Sequence, residues 1–141
     1  MSEQQPRTFY FRKLVRDRTV PDYQEEASVV GMSHRTLHGI ELIRELIAKV
    51  HEEADEIPVT DSPTKAEFGE IVAEIADLED VVVALKKHYG VTDAMTAAAS
   101  EAKAAKRGKF DNGDYIESIT VEQDSRWVRY CLGDPSKYPE E

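Results

Sequence analysis

The sequence predicts an all-α (mainly α) fold: an antiparallel helical bundle completed by dimerisation, with a small β element from the two ends of the chain. Two observations predict it. Apolar residues recur at alternating spacings of three and four over residues 40–57 and 68–89, which is how a helix lines one face with core side chains. Only residues 9–15 and 115–121 have the aromatic and β-branched content of strands. The length of 141 residues fits one domain, residues 1–141, with residues 122–141 as a C-terminal tail.

The elements follow in chain order. Phe9, Tyr10, Phe11 and Val15 favour an extended entry, and Pro21, whose fixed φ suits a first helical turn, opens a brief helix toward Val30 that Gly31 closes. Residues 33–38 read as extended. The first long helix begins near Gly39 and carries Ile40, Ile43, Ile47, Val50, Ala54 and Ile57, until Pro58 and the run Thr60-Asp61-Ser62-Pro63 stop it. The second presents Phe68, Ile71, Ile75, Leu78, Val82, Leu85 and Tyr89, and Gly90 caps it. A short turn between two long helices makes an antiparallel hairpin. Thr92 is the expected N-cap of an Ala-rich third helix over residues 93–107, with Gly108 at its exit. The turn Asp111-Asn112-Gly113-Asp114 leads to the second strand candidate, and then to a tail with Trp127, Tyr130 and Tyr138 that is expected to wrap over the bundle or a neighbouring subunit.

Charge narrows the function classes. The formal net charge is −10, and all of it resides in residues 41–80, where thirteen acidic side chains face Arg44, Lys49 and Lys65. Such a block repels a phosphate backbone and attracts cations, so no nucleic-acid polymer is expected as the partner there. Two basic clusters lie outside it: Arg7, Arg12, Lys13, Arg16 and Arg18, then Lys103, Lys106, Arg107 and Lys109. Cys131, the single cysteine, cannot close an internal disulfide and fits a reducing compartment. No apolar run reaches the roughly 18 residues of a membrane-spanning helix, and the opening residues lack the apolar stretch of a secretion signal. A cytoplasmic location away from membranes is therefore expected.

Helical spacing gathers carboxylates at the edge of the core. With Val50 at the centre of the first stripe, Glu53 lies about 60° away, while Glu56 and Glu52 lie about 120° and 160° away. On the second helix, centred on Ile75, Glu74 lies about 100° away and Asp77 about 160°. Glu52-Glu53-x-x-Glu56 and Glu74-x-x-Asp77 thus form two acidic ridges that a hairpin can turn toward each other. Like charges so placed repel, and the repulsion grows in a lower dielectric. Divalent cations relieve it, and an all-oxygen ligand set suits hard Mg²⁺ or Mn²⁺. A solvated acidic face is the alternative that spacing alone leaves open.

Four strings extend the pattern: Lys13-Leu14-Val15-Arg16-Asp17-Arg18 with Pro21 close behind, Lys49-Val50-His51-Glu52-Glu53-Ala54-Asp55-Glu56, Glu74-Ile75-Ala76-Asp77, and Lys103 with Arg107-Gly108-Lys109-Phe110. Their order over about residues 13–110 resembles the all-α NTP pyrophosphatase superfamily, the MazG-like proteins, and within it the phosphoribosyl-ATP pyrophosphohydrolase-like branch. The resemblance implies a homodimer or dimer of dimers that cleaves a nucleoside triphosphate between its α and β phosphates, yielding a nucleoside monophosphate and pyrophosphate, as in nucleotide-pool sanitation. It implies Mg²⁺, or Mn²⁺, on Glu53, Glu56, Glu74 and Asp77. Glu52 is then a further ligand or the base that orients the attacking water, with Glu53 beside it in the catalytic centre. Lys103 and Arg107 would bind the triphosphate, joined by Lys13 and Arg16. The chain departs from the family pattern in having one more residue before Pro21 and Lys109 where a second glycine is usual. Phosphoribosyl-ATP hydrolysis is the alternative within enzymes, and a non-catalytic cation-binding helical dimer the alternative outside them.

Overall fold

A computed structural model describes residues 4–141, so the first three residues of the opening stretch read above lie outside it. The described residues form five helices: α1 (Thr19–Glu25), α2 (Gly39–Asp55), α3 (Lys65–Tyr89), α4 (Asp93–Arg107) and α5 (Arg126–Leu132). The mainly helical class is as expected. The small β element is not found: no strand occurs among the described residues, and stretches 9–15 and 115–121 are irregular. β-branched and aromatic content makes a segment suitable for a sheet, but only a partner strand can satisfy its backbone groups, and neither stretch has one.

The chain divides into two compact units, Met1–Ala98 and Ala99–Glu141. In the first, α2 and α3 pack on one another as the expected hairpin. The start of α3 is fixed by a capping box: Thr64 Oγ1 accepts from the Glu67 amide and Glu67 Oε1 from the Thr64 amide, each at 3.2 Å. Its end is fixed by Gly90 in the left-handed region, φ 70°, with the Val91 amide donating to the Lys86 carbonyl at 2.8 Å. Thr92 caps α4 as expected, its Oγ1 accepting from the Met95 amide at 3.2 Å. At this corner Lys86 Nζ also bonds Asp93 at 2.6 Å and Thr96 at 3.0 Å.

Two local expectations are corrected. The helix expected to run from Pro21 toward Val30 is one short element, α1, that stops at Glu25. Glu26 is extended, and its carboxylate accepts from both the amide and the hydroxyl of Ser28, a local arrangement that competes with continued helix. The C-terminal tail, for which no helix is expected, contains α5. Ser125 Oγ accepts from the Trp127 amide at 3.3 Å and caps it.

The packed seam is rotated from the stripes read in sequence. On α2 the buried positions are Leu46 and Glu53, with Leu42 and Lys49 half-buried on the same face and Ile43 and Val50 half-buried beside it, and on α3 the half-buried positions include Ile71, Glu74, Leu78, Val81 and Leu85. Both sets step by three and four. Leu46 is 7% exposed and Glu53 5%, the two most buried side chains among the described residues. Phe68, Val72, Ile75, Val82 and Tyr89, the flanking row of α3, stay exposed, as does Ile47 on α2. The hairpin therefore uses one face of α3 and leaves an adjacent apolar row free.

Candidate metal centre

The rotation of the seam puts carboxylates where side chains of a bundle core would ordinarily sit. Glu53 occupies the last buried position of α2, Glu56 is the residue at which the helix ends, and Glu74 enters the seam from α3. One carboxylate oxygen from each of Glu53, Glu56 and Glu74 lies within 4.8 Å of the others. Glu53 Oε2 and Glu74 Oε2 are buried and have no hydrogen-bond partner among the described residues. Ionised carboxylates only accept hydrogen bonds, so three of them together cannot satisfy one another. A shared proton or a cation can.

The titration of Glu74 reflects this frustration. Desolvation, then hydrogen bonds shared with Glu56 and Glu53, then repulsion from their charges, push its pKa up from 4.5 to about 7. A ring of oxygen donors, two of them orphaned in a buried setting, fits a hard divalent cation such as Mg²⁺ or Mn²⁺, which takes carboxylates and keeps several waters.

Three basic residues brace the edges. Lys49, half-buried on α2, reaches Glu53 at 3.2 Å and Glu52 at 3.3 Å. Desolvation works against its charge, but Glu53 and Glu52 outweigh that and hold its pKa above the ordinary lysine value. Lys13 Nζ bonds the other side of the ridge, Glu52 Oε1, at 3.2 Å. Although partial burial opposes ionisation of Glu52, Lys13 and Lys49 prevail and hold its carboxyl below the usual range. Glu52 is thus an ionised acceptor at neutral pH, able to orient a water more than to take its proton. Arg16 spans Asp77 at 2.5 Å and Asp80 at 2.9 Å, and these contacts raise its own pKa.

The structure thus brings together Glu53, Glu56 and Glu74 from the expected ligand set. Asp77, one turn beyond Glu74, is outside that grouping and engages Arg16. Lys13 and Arg16, expected on phosphate, hold carboxylates. Lys103 and Arg107 are exposed, one turn apart on α4 in the second unit. Sequence reasoning missed Lys49 as a site residue, although its signal was present: a lysine three and four residues before two glutamates is placed to meet both on a helix. Asp80, an exposed residue of α3, is the second arm of the Arg16 bridge.

Compared with protein-family models, curated proteins and solved structures, the chain matches none.

Proposed function

We propose that the protein is a Mg²⁺-dependent pyrophosphohydrolase that cleaves a nucleoside triphosphate between its α and β phosphates, releasing a nucleoside monophosphate and pyrophosphate. The observation that carries the reading is the convergence of Glu53, Glu56 and Glu74 with two buried, unpartnered oxygens. The order of the four strings supplies the substrate class, and the donor chemistry supplies the cation. When bound, Mg²⁺ would neutralise phosphate charge and activate water. Glu53, Glu56 and Glu74 hold it, and Lys49 fixes Glu53. Glu52, kept ionised by Lys13 and Lys49, accepts a hydrogen bond from the attacking water and orients it. Lys103 and Arg107 supply positive charge for phosphate oxygens.

The assay is release of pyrophosphate and monophosphate from a panel of normal, deoxy and damaged nucleoside triphosphates with Mg²⁺, with phosphoribosyl-ATP included. Turnover abolished by Glu74→Gln supports the proposal. Faster cleavage of phosphoribosyl-ATP than of every triphosphate would move the reading to that substrate, and no product from any of them would refute it.

The functional form is a homodimer, or a dimer of dimers. The exposed row of α3 supports this, with Phe68 at 60% and Ile75 at 42% exposure within an otherwise helical apolar stripe. A second copy presenting the same row closes the surface by two-fold symmetry. Sedimentation equilibrium tests it: a monomer at micromolar concentration would end this part of the proposal. No helix among the described residues is long and apolar enough to cross a membrane.

A further inference from the structure

Lys49 treats the two oxygens of Glu53 differently. Its Nζ meets Glu53 Oε1 at 3.2 Å, while Oε2 of the same carboxylate is buried and has no hydrogen-bond partner among the described residues. The helix enforces this division. Lys49 lies three residues before Glu52 and four before Glu53, so one ammonium on α2 reaches both, with Glu52 Oε1 at 3.3 Å. The Lys49 side chain is only 17% exposed and Glu53 is buried beside it, so their contact lies largely out of water and is screened less than a surface pair. Lys13, on the other side of the ridge, is more exposed and meets Glu52 alone.

We propose that Lys49 sets the cation preference of the Glu53, Glu56 and Glu74 centre: by occupying Glu53 Oε1 it leaves that carboxylate one free oxygen, and so favours Mg²⁺ over the larger Ca²⁺. This inference rests on the cation reading of that centre, which stands on the grouping of the three glutamates and on the buried, unpartnered Oε2 of Glu53. The two ions ask different things of a carboxylate. Ca²⁺ gathers about six to eight oxygens at longer distances in a flexible shell and takes carboxylates through one oxygen or both. Mg²⁺ holds a tight octahedron, keeps several waters and needs few carboxylate oxygens. Three glutamates offering one oxygen each, with water for the remainder, suit the second pattern. The further oxygen that Ca²⁺ could draw from Glu53 is the one that Lys49 already holds. Lys49 touches a ligand and not the cation, which makes it a positioning residue.

The test is calorimetric titration of the full chain with Mg²⁺ and with Ca²⁺, for wild type, Lys49→Met, Lys49→Arg and Lys13→Met, each checked for folding by circular dichroism. The readout is the ratio of the two dissociation constants, in which the general gain in attraction on losing a positive charge cancels, since both ions are divalent. Wild type should bind Mg²⁺ more tightly than Ca²⁺. Lys49→Met frees Glu53 Oε1, so the preference for Mg²⁺ should fall about tenfold, chiefly through tighter Ca²⁺ binding. Lys49→Arg keeps a donor for Glu53 and should retain most of the wild-type ratio. Lys13→Met removes a charge from the same ridge without touching Glu53 and should leave the ratio unchanged. An unchanged ratio in Lys49→Met, or an equal fall in Lys13→Met, overturns the inference and leaves the cation centre standing. Tighter binding of Ca²⁺ than of Mg²⁺ by wild type overturns it as well, whether or not Lys49→Met folds. Failure of wild type to bind either ion overturns the centre and this inference together.

Discussion

Loading the acidic centre with Mg²⁺ should expel a proton, and the amount is set by Glu74. Desolvation and the hydrogen bonds and charges of Glu56 and Glu53 push this carboxyl to about 7. A group with that pKa is about nine-tenths protonated at pH 6, half at pH 7 and one-tenth at pH 8. Since the cation needs the ionised form, binding should release roughly 0.9, 0.5 and 0.1 proton at those pH values, and apparent affinity should rise about tenfold from pH 6 to pH 8. The assay is calorimetric Mg²⁺ titration in two buffers of different ionisation heat, which separates proton release from binding. Glu74→Gln should remove the release at every pH and weaken binding. The sign for stability follows from the same shift. Because the folded pKa lies above the unfolded value near 4.5, Glu74 supports the metal-free fold fully below about 4.5 and loses that support as pH rises through 7. Metal-free melts should therefore fall between pH 5 and pH 8, less so in Glu74→Gln. Saturable Mg²⁺ binding with no proton released at pH 6 would refute the reasoning, since the ligand oxygens would then already be ionised.

Lys49→Met leaves Glu53 in the seam without its counter-ion, and chemical denaturation without metal should show a loss of about 2–4 kcal/mol; Mg²⁺ should recover part of it, as a replacement for the lost charge. Leu46→Ala removes the most buried apolar side chain between α2 and α3, at a cost of about 2–4 kcal/mol in the same experiment. Lys103→Ala and Arg107→Ala should weaken nucleotide binding while leaving Mn²⁺ binding in the absence of nucleotide unchanged, and equal nucleotide affinity in both variants would remove these two residues from the phosphate site.

The sequence by itself determined the helices that position the centre. Alternating spacings of three and four are a local, covalent property of the chain, and the stop signals around Pro58, Thr64 and Gly90 act within a few residues, so the hairpin and its ends were legible. The identity of Glu53, Glu56 and Glu74 as a carboxylate group was legible for the same reason, since helix periodicity fixes which side chains share a face. What only the tertiary structure decided was the rotation of each helix about its axis. A stripe of apolar residues is wider than one packing seam, and α3 could have turned Ile75 or Glu74 toward α2; the packing places Glu74 there and leaves Ile75 exposed. The pairing of Arg16 with Asp77, sixty-one positions away, and of Lys13 with Glu52, thirty-nine away, was likewise set by the fold. Electrostatic attraction names no partner until the backbone brings two charges within a few ångströms, and residues 9–15 show the same rule for strands: a segment can have strand composition and remain irregular when no second segment arrives to pair with it.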